Sequence, residues 1–137
     1  MSVLVDTSVW SLAFRRRDPV SHPAVAELRG LIWETRACLI GPVRQELLSG
    51  IREPSQFQKL RQHLGAFPDL GLSTPDYERA AEFFNLCRAR GVQGSNTDFL
   101  LCAAAERHGV PILTTDGDFP IYARHLPIEL YRPDGVS

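Results

Sequence analysis

Five carboxylates stand where apolar runs end or helical patterns begin. Asp6 closes "SVLVD", Glu46 follows Gly41-Pro42 by about one helical turn, and Asp98 follows Gly94-Ser95-Asn96-Thr97. Asp116 and Asp118 lie in "LTTDGDF". Carboxylates brought close to one another repel and resist joint ionisation. A hard divalent cation relieves that repulsion, and a donor set made only of oxygens favours Mg²⁺ or Mn²⁺. Such an ion orients a phosphodiester, lowers the pKa of an attacking water and stabilises the leaving oxygen. The chemistry this predicts is phosphodiester hydrolysis. It needs no covalent nucleophile, and the sequence offers no convincing Ser/His/Asp or Cys/His set.

Each acid also has a plain structural use. Asp98 suits the positive end of a helix, Asp116 and Asp118 flank Gly117 as turn residues do, and Glu46 suits a solvated helix face. Asp6 resists that treatment, because a carboxylate placed directly after a buried strand needs donors or a cation. Convergence on one edge is the stronger explanation for the set, and it depends on the elements that carry it.

Those elements alternate. Apolar runs without polar alternation at 2–6, 37–41 and 110–115 read as strands buried on both faces, with "IELY" (128–131) a weaker fourth. Helical spacing fills the gaps over 22–36, 42–50 and 55–66. A further helix takes Thr74 as N-cap and Pro75 as its first residue, and stops at Gly91. Another runs from Asn96 to His108, apolar nearly all round through "FLLCAAA", and ends at Gly109. After Asp6, Trp10 and Phe14 open an amphipathic helix and belong to the core rather than to base stacking. Strands alternating with helices predict an α/β fold with a mostly parallel sheet flanked by helices. Right-handed crossovers then bring the strand ends and helix starts that carry the acids to one edge, where ligands bind in open parallel sheets.

The totals are consistent with one domain over 1–137. Hydrophobic residues make up 44% and charged residues 23% of the chain, ordinary for a globular protein. No apolar run approaches the roughly 20 residues of a membrane helix, and Asp6 interrupts the N-terminal run that a secretory signal would need. Cys38, Cys87 and Cys102 stand singly in apolar surroundings, as reduced core thiols of a cytoplasmic protein do, and lack the clustering of a zinc site. Net charge is −1, yet Lys59 is the only lysine among 15 basic residues. Arginine suits bidentate contact with phosphate or carboxylate. The run Arg15-Arg16-Arg17 fits either cations at a helix end or an RNA contact.

Four segments, "VLVDTSVW", "RQELLSG", "NTDFLLCAAAERHG" and "ILTTDGDF", occur in the order and approximate spacing of PIN-domain ribonucleases. The sequence resembles in particular the VapC-type toxins of toxin–antitoxin pairs, over essentially its whole length. The resemblance implies a PIN-like α/β sandwich and an acidic cleft that cleaves RNA with Mg²⁺ or Mn²⁺. It further implies dimers, and neutralisation by a small VapB-type antitoxin. By position it makes Asp6, Glu46, Asp98 and Asp116 the metal-site acids and Asp118 an auxiliary one. Thr7, Ser8 and Thr114 become supporting or phosphate-contacting hydroxyls, and Asn96 a neighbour of the site.

Three rivals bear on this expectation. A haloacid-dehalogenase-like phosphatase wants a second aspartate where Ser8 stands, and a distant lysine that Lys59 is badly placed to supply. A phospho-receiver domain lacks its paired acids at Asp6 for the same reason. A catalytically silent PIN-like module that binds RNA or protein has little use for a costly cluster of like charges.

Overall fold

The computed structural model describes residues 1–15 and 22–132. Arg16 and Arg17 therefore lie outside the described residues. Three short parallel strands form the centre: β1 (Val3–Val5), β2 (Ala37–Cys38) and β3 (Ile112–Leu113), in the order β2-β1-β3. Val3 pairs with Ala37 and Leu4 with Cys38 on one side, and Leu4 with Ile112 and Val5 with Leu113 on the other. All seven strand residues are buried. This is the burial that non-alternating apolar runs require.

Seven helices surround the sheet among the described residues. They are α1 (Thr7–Phe14), α2 (Pro23–Trp33), α3 (Gly41–Leu48), α4 (Pro54–Leu64), α5 (Thr74–Ala89), α6 (Asn96–His108) and α7 (Asp118–Ala123). Helix α6 is the most deeply set, with every residue from Phe99 to Ala105 buried. It ends at Gly109, whose φ of 64° is the left-handed conformation that glycine adopts without strain. Trp10 is fully buried in α1, donates Nε1–H to the Val5 carbonyl at 3.0 Å and packs on Phe14 and Phe67. The first helix is thereby pinned to the first strand at the turn that contains Asp6.

Two expectations need correction, and two features go beyond them. The N-cap of α5 is Ser73, not Thr74: its hydroxyl and the Asp76 carboxylate form a reciprocal capping box, which a residue without an acid three positions on cannot make. Asp76 is itself buried and also accepts from Arg107 Nε at 2.6 Å, tying α5 to the end of α6. The expected strand at 128–131 reduces to one parallel bridge, Leu130 to Ile112, because β3 is only two residues long. On the far edge Leu39 pairs in the same way with Asp69, in a segment without strand character in its sequence. Helix α7 was not anticipated; it is six residues long and carries Pro120 inside it.

Candidate active site

Parallel strands place their carboxyl ends on one edge, and the acids gather there. Asp6 directly follows β1 and caps α1, since its Oδ2 accepts from the Ser8 amide at 3.4 Å. The same oxygen accepts the Ser8 hydroxyl at 2.8 Å and the Thr114 hydroxyl at 2.9 Å. Ser8 Oγ in turn accepts the Thr115 amide, and Thr114 Oγ1 accepts the Asp116 amide at 3.0 Å. Two hydroxyls thus stitch the end of β1 to the end of β3 across 108 residues of sequence. Asp116 Oδ1 accepts the Asp118 amide at 2.9 Å and so begins α7.

Asp98 enters from α6, where its amide donates to the Ser95 hydroxyl that caps the helix. Its Oδ2 accepts the Tyr122 hydroxyl at 3.0 Å. Burial raises the Asp98 pKa; the Tyr122 hydrogen bond pulls it back, and the charges of Asp6 and Asp116 push it further up. The three aspartates therefore lie within electrostatic reach of one another. Glu46 joins by a different route. Its Oε2 accepts the Thr7 hydroxyl at 3.3 Å, and a cleft of about 490 Å³ lined by Thr7, Arg15, Gln45, Glu46 and Thr97 connects α3 to the start of α6.

Two expected neighbours stand further out. Asp118 is exposed and reaches the cluster through its backbone amide. Asn96 is exposed on an adjacent apolar groove of about 420 Å³, beside Tyr77, Phe84 and Leu100, and bonds to none of the acids among the described residues. Sequence reasoning missed Tyr122, which is fully buried between Phe99 and Phe119. The signal was present: Phe119 and Tyr122 share a helical face, and a buried phenol needs a partner for its hydroxyl. It also missed the tight backbone at Gly94, where a Cβ would overlap the Tyr122 hydroxyl and come within 2.9 Å of Phe99 Cζ.

One regularity runs through the four principal acids. Each has one oxygen held by a protein donor: Asp6 by Ser8 and Thr114, Glu46 by Thr7, Asp98 by Tyr122, Asp116 by the Asp118 amide. Each leaves its other oxygen without a protein partner among the described residues. No three His, Cys, Asp or Glu side chains among the described residues close into a ready-made cage for an ion. The donors nonetheless fit Mg²⁺ or Mn²⁺. Mg²⁺ keeps several waters and binds through one or two carboxylates rather than a complete protein cage.

The PIN domain signature matches residues 3–125. Ribonuclease VapC11 of Mycobacterium tuberculosis is 32% identical over 126 residues, which cover 89% of this chain and 92% of that protein. Among solved structures, VapBC2 from Rickettsia felis, bound to a DNA fragment from its promoter, matches with a TM-score of 0.75 at 17% identity. The match covers 98% of this chain and all of the chain it was compared with. FitAcB from Neisseria gonorrhoeae matches with a TM-score of 0.69 at 21% identity, over 98% and 99% of the two chains. At these identities the structures establish a common fold, and the sequence match establishes descent: the chain belongs to the PIN-domain family, among its VapC ribonucleases.

Proposed function

We propose that the chain is the toxin of a toxin–antitoxin pair, an endoribonuclease whose Asp6, Glu46, Asp98 and Asp116 hold one or more Mg²⁺ or Mn²⁺ ions. The observation that carries this reading is the division of labour at all four acids, one oxygen tethered and the other free. Protein donors fix the orientation of each carboxylate, and the unpartnered oxygens together offer a hard, anionic donor set. A bound ion there supplies positive charge to the phosphodiester oxygens and acidity to an attacking water. Ser8 and Thr114 keep Asp6 in register with β3, and Thr7 holds Glu46 at the wall of the cleft through which RNA approaches. Arg15, on the same wall, supplies a cation for a backbone phosphate. Asp118 and Asn96 act at the margin.

The partner is inferred from the toxin–antitoxin complexes that share this fold, and the carboxylates suggest how it would act. A small VapB-type antitoxin that inserts an arginine fork would pair with the carboxylates and displace the ion. We place the protein in the cytoplasm, as a single nuclease domain over 1–137 that forms homodimers. The three cysteines are buried and unpaired, and no helix among the described residues is long and apolar enough to cross a membrane.

Incubating RNA with the protein in Mg²⁺, Mn²⁺ or EDTA tests the reading. Cleavage with either metal, abolished by EDTA and by Asp98→Asn in a protein that still folds, is expected. RNA binding that ignores EDTA, with no cutting in either metal, would instead identify a silent binding module.

A further inference from the structure

Hydroxyls or an amide from loops and helix starts tether three of the four acids; the fourth tether comes from the core. Tyr122 projects from α7, is fully buried, and packs its ring 5.1 Å from Phe99 and 5.2 Å from Phe119. Its hydroxyl lies 3.0 Å from Asp98 Oδ2 and 3.3 Å from the Gln93 carbonyl. The absent side chain at Gly94 makes room for that hydroxyl. A phenol so enclosed has few rotamers available, so it fixes one carboxylate oxygen far more rigidly than a solvent-exposed serine would.

We propose that Tyr122 is a positioning residue for Asp98: by holding Oδ2 it turns Oδ1 toward the shared edge, where the other acids present their free oxygens. This rests on the reading of those acids as a metal site. Tyr122 touches neither metal nor RNA. It sets the aim of a ligand that does, as outer-shell partners of metal ligands do. It also makes the six-residue α7 part of the site, although Asp118 at its start is exposed and its role there marginal.

The test compares the parent with Tyr122→Phe, Asp98→Asn and Leu28→Ala. Apparent Mn²⁺ affinity is measured by thermal-shift titration, and kcat and KM on a model RNA at fixed Mn²⁺. Tyr122→Phe deletes one oxygen and keeps the ring. Expected is a weakening of Mn²⁺ affinity by roughly 10–100-fold, with kcat reduced, KM for RNA nearly unchanged, and kcat partly restored by raising Mn²⁺. Leu28→Ala removes buried packing from α2, away from the Tyr122 ring, so it should lower the melting temperature and leave Mn²⁺ affinity as in the parent. Parental Mn²⁺ affinity in Tyr122→Phe overturns the proposal. An undiminished Mn²⁺ response in Asp98→Asn overturns the metal site itself, which keeps the two failures distinguishable. Should Tyr122→Phe not fold, ¹⁹F spectra of the parent carrying 3-fluorotyrosine decide: Mg²⁺ should move the Tyr122 resonance and leave that of Tyr77, and an unmoved Tyr122 line refutes the positioning role.

Discussion

Replacing Gly94 by alanine adds one methyl group and should cost this protein more stability than most single substitutions do. The new Cβ would overlap the Tyr122 hydroxyl and sit 2.9 Å from both Tyr122 Cζ and Phe99 Cζ. Both rings are buried, with exposures of 0% and 1%, so neither can swing into solvent to make room. Overpacking of this kind costs about 1–3 kcal/mol. Relief comes most directly by moving the Tyr122 ring, which breaks its bond to the Asp98 carboxylate, worth about 1.5–3 kcal/mol for a charged acceptor. One effect opposes these: alanine restricts the unfolded chain and returns about 0.4–1 kcal/mol. The destabilising contributions win, with a central value of about 3.5 kcal/mol. At roughly 3–5 °C per kcal/mol for a domain of this size, the melting temperature should fall by roughly 10–18 °C. A thermal scan by circular dichroism reads it directly. The same substitution placed in Tyr122→Phe should cost less, since the nearest atom is gone and the bond is already lost, giving a coupling of about 0.5–3 kcal/mol. Gly94→Ala melting at or above the parent would refute the close approach and the lock built on it.

Further outcomes follow from other parts of the molecule. Asp6→Asn should lose most of the stabilisation that Mn²⁺ gives the parent, which is about 1.4 kcal/mol when free metal is ten times its dissociation constant; scans in EDTA and in millimolar Mn²⁺ compare the two, and an equal Mn²⁺ shift would remove Asp6 from the site. The Arg107 hydrogen bond holds the Asp76 carboxyl below its ordinary range, with Ser73 adding to the effect. Its stabilising contribution is therefore complete above the unfolded value of about 3.9 and is lost as pH falls through the depressed folded value. Urea midpoints measured downward from about pH 5 should drop more steeply for the parent than for Asp76→Asn, and parallel curves would contradict this. Burial pushes the Cys38 thiol up to about 11 and raises Cys87 and Cys102 as well. Native protein at pH 8 should thus give no rapid reaction with a disulfide reagent, and all three thiols should appear after denaturation.

Much of this architecture was legible because its signals are local. Non-alternating runs such as "VLV" and "IL" mark strands covered on both faces, and the apolar circumference of α6 marks a helix with little solvent on any side. Asp6 was legible for a chemical reason: a carboxylate cannot end a buried strand without donors or a cation, and the donors proved to be Ser8 and Thr114. What escaped was set by contacts between distant segments. The Tyr122–Asp98 bond spans 24 residues and depends on a helix too short and too interrupted by Pro120 to show periodicity. The Asp69 bridge owes its existence to an open edge of β2 rather than to any preference of "FPDLG". The N-cap of α5 could have been assigned correctly, since Ser73 has an acid three positions on and Thr74 has Tyr77 there.

The strand order also fixes when the site comes into being during synthesis. β1 is made before both of its neighbours and lies in the middle of the sheet, so one of its edges stays bare until β3 emerges. Asp6 waits equally long for Thr114, 108 residues downstream. At roughly 5–20 residues per second, the chain spends about 5–20 s with its first acid made and that acid's second hydroxyl donor not yet made. Loop closure over such a separation must precede the reward of pairing, so the pairing is a late folding event. A nascent chain truncated before β3 carries three of the four principal acids and the whole of α6, yet lacks both the Thr114 hydroxyl that holds Asp6 and the Tyr122 hydroxyl that holds Asp98. The acid cluster therefore takes its final form only after β3 has been made, because the hydroxyl that closes it onto Asp6 belongs to the segment that follows that strand.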